Sequence, residues 1–377
     1  MPPQSLPVID APTILRAEAA TANVAPKPDP KHNNNLIAVR VLGFLLQDFW
    51  QHNAHSFGLI PYRRLCQEIT SCLRVQDVVV GSEDEAKKQN DKLYNLGLLY
   101  RNRMMRVFRS NISPLAATLE HPSPPSFEQF NERIIASMET PKSTSDARKH
   151  LYGSLAIVQA LLRDGYRCML TGVFDYYSCK EFPELRTLAT ASGAKRGILK
   201  CAHIFSDSVN KEDYAASATD ILTMFGLEAT YKEGSLIGDN VNQHSNLITM
   251  LDGIYTLFNR LNSDPEFFAV VNAPPRRVTF AVDPDVAAAC KAQGKDAPRL
   301  PSPALLAVRA ACSRVAHMAG AVEQADQIVR ELEDISVLAE DGSTADLFTS
   351  RLLQLLPRTS IRGGAPVTDD DSQNQGV

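Results

Sequence analysis

Seven prolines fall between residues 263 and 304: Pro265, Pro274, Pro275, Pro284, Pro298, Pro301 and Pro303. Each fixes its own φ and withholds a backbone donor, so no long helix crosses this stretch. The chain therefore reads as helix-patterned segments on either side of a proline-rich linker, residues 263–303, which holds one short strand from Arg277 to Val282. Its length of 377 residues suggests two or three domains at roughly 150 residues each. With 44% apolar residues there is material for a real core, which excludes a wholly disordered chain.

Residues 1–34 lack an apolar period and read as a disordered N-terminus, and residues 357–377 as a disordered tail. A helical region is expected over 35–140. Leu36 to Trp50 is apolar enough for a buried helix, and Tyr62, Leu65, Ile69 and Leu73 recur at helical spacing. Ser82 with Glu85 fits a capping box, in which the two residues satisfy free amides at a helix start. That helix carries Leu93, Leu96, Tyr100 and Val107 on one side, and also Arg101, Arg103, Arg106 and Arg109. The arginines admit two readings: a grip on phosphate, or a solvated face with favourable charge near a helix C-terminus.

After a proline-containing connector at 110–125, two more helices are expected, Ser126 to Met138 and Ser145 to Leu162. Ser126 with Gln129 caps the first, and Ser143 with Asp146 the second. Past the linker, residues 304–356 are helical again. Leu305, Val308, Cys312, Val315, Ala319 and Val322 keep a helical step, Ile328 to Leu338 continues it, and Asp346 to Leu356 makes a last amphipathic helix. This region reads as a hairpin or small bundle used for packing or partner contact.

Charge and cysteine usage narrow the function. Lys plus Arg is 39 against 43 for Asp plus Glu, a net charge of −4, so a globally basic nucleic-acid coat protein is excluded. The seven cysteines are odd in number and contain no C-x-x-C, which argues against a disulfide scaffold or a four-cysteine zinc site. Buried thiols of an intracellular protein, nuclear or cytoplasmic, are the expectation. No apolar run approaches the roughly 18 residues of a membrane span, and the first residues do not read as a secretory signal. Gly226, Gly234 and Gly238 are not followed by a phosphate-loop pattern, which removes a nucleotide-hydrolase reading.

Residues 145–262 form the segment with chemistry. Arg163 to Gly172, R-D-G-Y-R-C-M-L-T-G, closes a helix, turns at a glycine and enters a short strand. Residues 198–204 make an apolar strand that delivers His203. Asn246 to Met250 makes another, and Asp252 then caps a helix from Gly253 to Leu261. The order is strand, long loop, strand, helix. Lys195, Arg196 and Lys200 cluster just before His203 and are candidate phosphate contacts.

R-D-G-Y-R-C-M-L-T-G at 163–172, A-H-I at 202–204, N-L-I-T-M at 246–250 and I-x-x-L-F-N-R-L at 254–261, in this order, resemble the HNH endonucleases, the ββα-metal nucleases. More narrowly, the chain is similar to fungal proteins that carry an HNH domain of the A-H-I type. The flanks agree: H-P-S-P-P-S-F at 121–127, A-C-S-R-V-A-H-M-A-G-A-V-E at 311–323 and V-L-A-E-D-G-S-T-A at 337–345, so the resemblance spans most of 36–356. It implies an α+β fold, predominantly helical with a small embedded ββα-metal (HNH-like) module. It also implies a divalent metal, Mg²⁺ or Mn²⁺, and DNA as partner.

By the same resemblance His203 takes the place of the general base that activates water, a task suited to an imidazole. Asn246 takes the place of the asparagine that orients it. The family's last histidine, a metal ligand on the helix, falls on Tyr255, and Asn259 stands where an Asp is usual. A phenol with a reference pKa near 10 is a poor ligand at pH 7. His244 and Asp207 are candidates to replace it. From residue 150 to 262 there are 10 basic and 12 acidic residues, a balance unfavourable to phosphate binding. Two readings stand at this stage: an HNH-type metal-dependent DNA endonuclease, or a degenerate HNH-like protein that serves as a binding or scaffold protein.

Overall fold

The computed structural model describes residues 30–52, 56–74, 82–109, 126–137, 155–205, 211–231, 236, 238–261 and 278–334. The expected cap at Ser143, the connector at 110–125, Asp207, the helix Asp346 to Leu356 and the tail from 357 lie outside them. So do residues 1–29 of the expected disordered N-terminus. The chain divides into two units, 1–327 and 328–377, and the second is described only at 328–334, where the last helix closes.

The fold is mostly helical with two small sheets of two strands each. The helices in chain order are α1 (Pro30–Gln51), α2 (Ile60–Leu73), α3 (Glu83–Phe108), α4 (Phe127–Ala136) and α5 (Leu155–Arg163). Then come β1 (Phe174–Asp175), α6 (Tyr176–Glu181), α7 (Pro183–Ala191), β2 (Arg196–Gly197) and β3 (Leu199–His203). α8 (Lys211–Met224), β4 (Leu247–Leu251) and α9 (Asp252–Arg260) follow, then α10 (Pro284–Ala292), α11 (Pro303–Met318) and α12 (Ala321–Asp334).

α1 sits in the middle of the main core. Ala38, Val41, Leu42, Leu45 and Phe49 are fully buried, and each large side chain removed from water contributes roughly 1.5–3 kcal/mol. α1 begins at Pro30, so residues 30–34 belong to a helix rather than to the expected disordered end. It packs on α2, α3 and α11. The crossing with α3 is close: a Cβ on Gly97 would stand 2.1 Å from the Ala38 carbonyl oxygen, so only glycine allows it. α3 starts as expected, with the Ser82 hydroxyl accepting from the Glu85 amide at 3.1 Å. Ser126 likewise accepts from the Gln129 amide at the start of α4.

Of the second sequence reading of the four arginines, the charge near the helix C-terminus holds, with Arg106 in the last turn and Arg109 at the C-cap, but the solvated face does not. Arg101 is buried and donates to Asn34 and Gln324, each at 2.8 Å, and burial lowers its pKa to about 10. Arg103 pairs with Asp220 at 2.5 Å, Arg106 donates to Ser217, and Arg109 pairs with Asp326. They tie α3 to α1, α8 and α12, because the C-terminal part of α3, from Tyr100 to Arg109, packs among helices rather than facing solvent.

A second apolar cluster gathers Ile134, Ile135, Leu162, Tyr166, Phe174, Phe182 and Val286 from α4, α5 and the turn after it, β1, the residue before α7, and α10. The expected linker is thus partly structured. Pro284 opens α10 instead of preventing it, since a first-turn proline loses no hydrogen bond, and Asp283 caps the helix. The expected strand at 277–282 does not form within its described part, 278–282: these residues meet no partner strand, and the run ends with Asp283 N donating to the Arg163 carbonyl. α11 stops at Ala319–Gly320, where Gly320 takes φ +77°, and the chain bends by 71° into α12. Among the described residues no single helix is long and apolar enough to cross a membrane.

β1 and β2 pair in parallel, Phe174 opposite Arg196. β3 and β4 pair antiparallel from Leu199 opposite Leu251 to His203 opposite Leu247. α8 and two short 3₁₀ turns lie between them in sequence, and α9 follows β4 directly.

Candidate functional site

β3 carries His203 as its last residue. Side chains alternate along a strand, so Leu199, Cys201 and His203 share one face with Leu247, Thr249 and Leu251. Lys200 and Ala202 share the other with Ile248 and Met250. The first face meets the end of α5: Thr249 Oγ1 hydrogen-bonds Asp164, and Cys201 lies in the field of Arg163 and Asp164, its thiol pushed up to about 12 by burial. The second face meets α9 and the main core.

Asn246 has no exposed surface. Its Oδ1 accepts from Phe205 N at 2.8 Å, and its Nδ2 donates to the carbonyls of Phe205 and Val241, both at 2.9 Å. Its backbone carbonyl accepts from Ile204 N at 2.8 Å. The side chain does not touch His203. It clamps Phe205, two residues after His203, and Val241, the residue before Asn242. Asn242 Oδ1 in turn stands 2.9 Å from His203 Nε2. Asn246 and His203 are thus linked only indirectly, through the backbone at Ile204 and Phe205 and through the 241–242 segment.

Tyr255 is placed elsewhere. It lies on α9, half-buried, with the Lys200 ammonium 5.1 Å from its ring centroid. Lys200 also pairs with Asp252 at 2.7 Å. Lys200 and His203 are three residues apart on β3 and so project from opposite faces. Asp252 does not cap α9 with its side chain: Leu251 is the capping position, and the Asp252 carboxylate is held by Lys200 in the first turn, where the helix dipole still favours it.

His244, the candidate replacement ligand, turns toward α5. Its Nε2 stands 3.1 Å from Gln159 Oε1, and burial, with the nearby Arg163 charge, lowers its pKa to about 4. The expected basic cluster also separates. Lys200 is engaged on α9, while Lys195 and Arg196 are exposed, Arg196 in β2.

A polar hub that sequence reading missed lies under the same strands. Arg163 is fully buried. It forks onto Asp164 at 2.6 and 2.9 Å and donates to the carbonyls of His244 at 2.8 Å and of Leu247 and Arg299 at 3.1 Å. Asp164 is raised by burial, against the pull of Arg163 and Thr249. The signal was present: a charged pair directly after the apolar helix A-L-L at 160–162. Gly165, at φ +62°, lets the chain turn there, and a Cβ would run into the Asp283 carboxylate.

Among the described residues no group of three or more His, Cys, Asp and Glu side chains is placed to hold a metal ion. Beside Tyr255 on α9, the Asp252 carboxylate is neutralised by the Lys200 ammonium. The donor set at that position does not fit Mg²⁺ or Mn²⁺, which take several oxygen ligands. No protein-family model, curated protein or solved structure matches the chain.

Proposed function

We propose that β3, β4 and α9 are an HNH-like ββα module that no longer hydrolyses phosphodiesters, and that the chain serves as a binding or scaffold protein. The single observation that carries this reading is the position of Tyr255: a phenol beside the Lys200 ammonium, on the face of β3 opposite His203. A hydrolytic site of this class needs the base and the metal on one phosphate. The buried Arg163–Asp164–Thr249 hub supports the same reading, since it uses the interior face of the strands for stability.

One observation favours the other reading, a metal-dependent DNA endonuclease with Lys195 and Arg196 on the phosphates. Asn246 holds the segment after His203 as an orienting residue would. Plasmid nicking with Mg²⁺ or Mn²⁺ separates the two, using the wild type, His203→Ala and Tyr255→His. The scaffold reading expects no nicking by the wild type. Nicking by the wild type that disappears in His203→Ala would overturn it and establish the nuclease.

A further inference from the structure

A cleft of about 410 Å³ opens between α2, α3 and α8, apart from the HNH-like elements. That volume lies within the roughly 300–1,000 Å³ of small-molecule sites. Arg64 and Glu68 reach it from α2, Tyr100 and Arg103 from α3, and Asp220 and Met224 from α8. Two guanidinium groups face two carboxylates, so the lining is neutral but strongly polarised. Buried Tyr100 and Met224 add an apolar wall.

The charges are held in place. The Tyr100 hydroxyl donates to Glu68 at 2.8 Å, and Arg64 forks onto Glu228 at 2.6 and 3.1 Å while also donating to the Thr223 carbonyl. Arg103 meets Asp220 at 2.5 Å, with side-chain exposures of 22% and 41%. An ion pair so open to water contributes at most about 1 kcal/mol. A ligand carrying both charges can exchange partners with it and leave no protein charge unpaired. A multiply charged phosphate would face two carboxylates, and a polyamine two arginines; a zwitterion meets neither penalty.

We propose that this cleft binds a small zwitterion of the α-amino-acid type, its carboxylate on Arg103, its ammonium between Glu68 and Asp220, and an apolar side chain on Tyr100 and Met224. The proposal is independent of the HNH-like reading. The test is calorimetric titration of the full chain at pH 7 with L-phenylalanine, and with phenethylamine and 3-phenylpropionate as singly charged controls. The expected result is saturable one-to-one binding of phenylalanine with a Kd of about 1 mM or tighter, with both controls at least about tenfold weaker. Arg103→Gln is expected to weaken binding about tenfold. Gln67→Trp fills the cleft from an exposed lining position without removing a member of any of these pairs, and is expected to abolish binding. No saturable heat with folded protein up to about 10 mM phenylalanine, equal binding of a singly charged control, or unchanged binding in a folded Gln67→Trp protein would each overturn the proposal.

Discussion

The carboxamide of Asn246 is hydrogen-bonded to both backbone groups of Phe205, Oδ1 accepting from N at 2.8 Å and Nδ2 donating to O at 2.9 Å. This closed pair fixes the chain where it leaves β3, directly after His203. Asn246→Ala strips partners from buried groups of Phe205 and Val241, each loss costing about 1–3 kcal/mol before relaxation. A loss of about 2–4 kcal/mol in denaturant unfolding is expected, with faster hydrogen exchange at the Phe205 amide. Unchanged stability and exchange would show that the clamp holds nothing.

Arg163 and Asp164 make a buried ion pair whose arginine also serves three carbonyls. Arg163→Met removes the cation and leaves a carboxylate stranded, which costs about 3–5 kcal/mol. Adding Asp164→Asn removes the stranded charge, so the double variant is expected to be more stable than Arg163→Met alone. Urea unfolding of both variants measures this. Equal midpoints would mean that the three carbonyl bonds, rather than the stranded charge, account for the loss.

What the sequence reveals here is what is local. Ser82 and Ser126 are legible as caps because the amide each satisfies lies three residues away. The β3 and β4 runs and the following helix are legible because short apolar stretches and a helical period need no distant information. The arginines of α3 are not, since Arg101 meets Gln324 and Arg109 meets Asp326, more than 200 positions later. Asp252 looks like a cap until Lys200 comes across the sheet to claim it. A strand at 277–282 also depends on a neighbour, and its described part has none. At the candidate site, Asn246 hydrogen-bonds the chain two residues beyond His203, at Phe205. The face on which Tyr255 falls depends on strand alternation relative to α9, which spacing does not encode.

Burial and the charge of Arg163 hold the His244 imidazole near 4 in the folded chain, whereas it titrates near 6.5 when unfolded. Between those values the unfolded chain binds a proton that the folded chain refuses. Stability is therefore fully present above about pH 6.5 and falls as pH drops toward about 4, by on the order of 2–3 kcal/mol. Asp164 and Asp175, both raised by burial, work in the opposite direction at the acid end. The measurement is accordingly a difference: between pH 7 and 4 the wild type is expected to lose on the order of 2 kcal/mol more than His244→Gln. Parallel profiles for the two proteins would exclude His244 as the source.

On the HNH-like reading, Tyr255→His would put an imidazole where that family has a metal ligand, yet it leaves the Lys200 ammonium close by. The ammonium is 5.1 Å from the Tyr255 ring centroid and neutralises Asp252. At about 5 Å a divalent ion and an ammonium repel by roughly 6 kcal/mol at an effective dielectric constant of about 20. The single variant is therefore expected to bind Mn²⁺ no better than the wild type. Adding Lys200→Ala removes the repulsion and releases the Asp252 carboxylate as a ligand, and at least about a tenfold gain in Mn²⁺ affinity is expected, equivalent to 1.4 kcal/mol or more. Electron paramagnetic resonance of free Mn²⁺ reads both. Tight binding by Tyr255→His alone would mean that Lys200 does not guard the position. Equal weak binding by both would mean that Lys200 is not what keeps a divalent ion from this position.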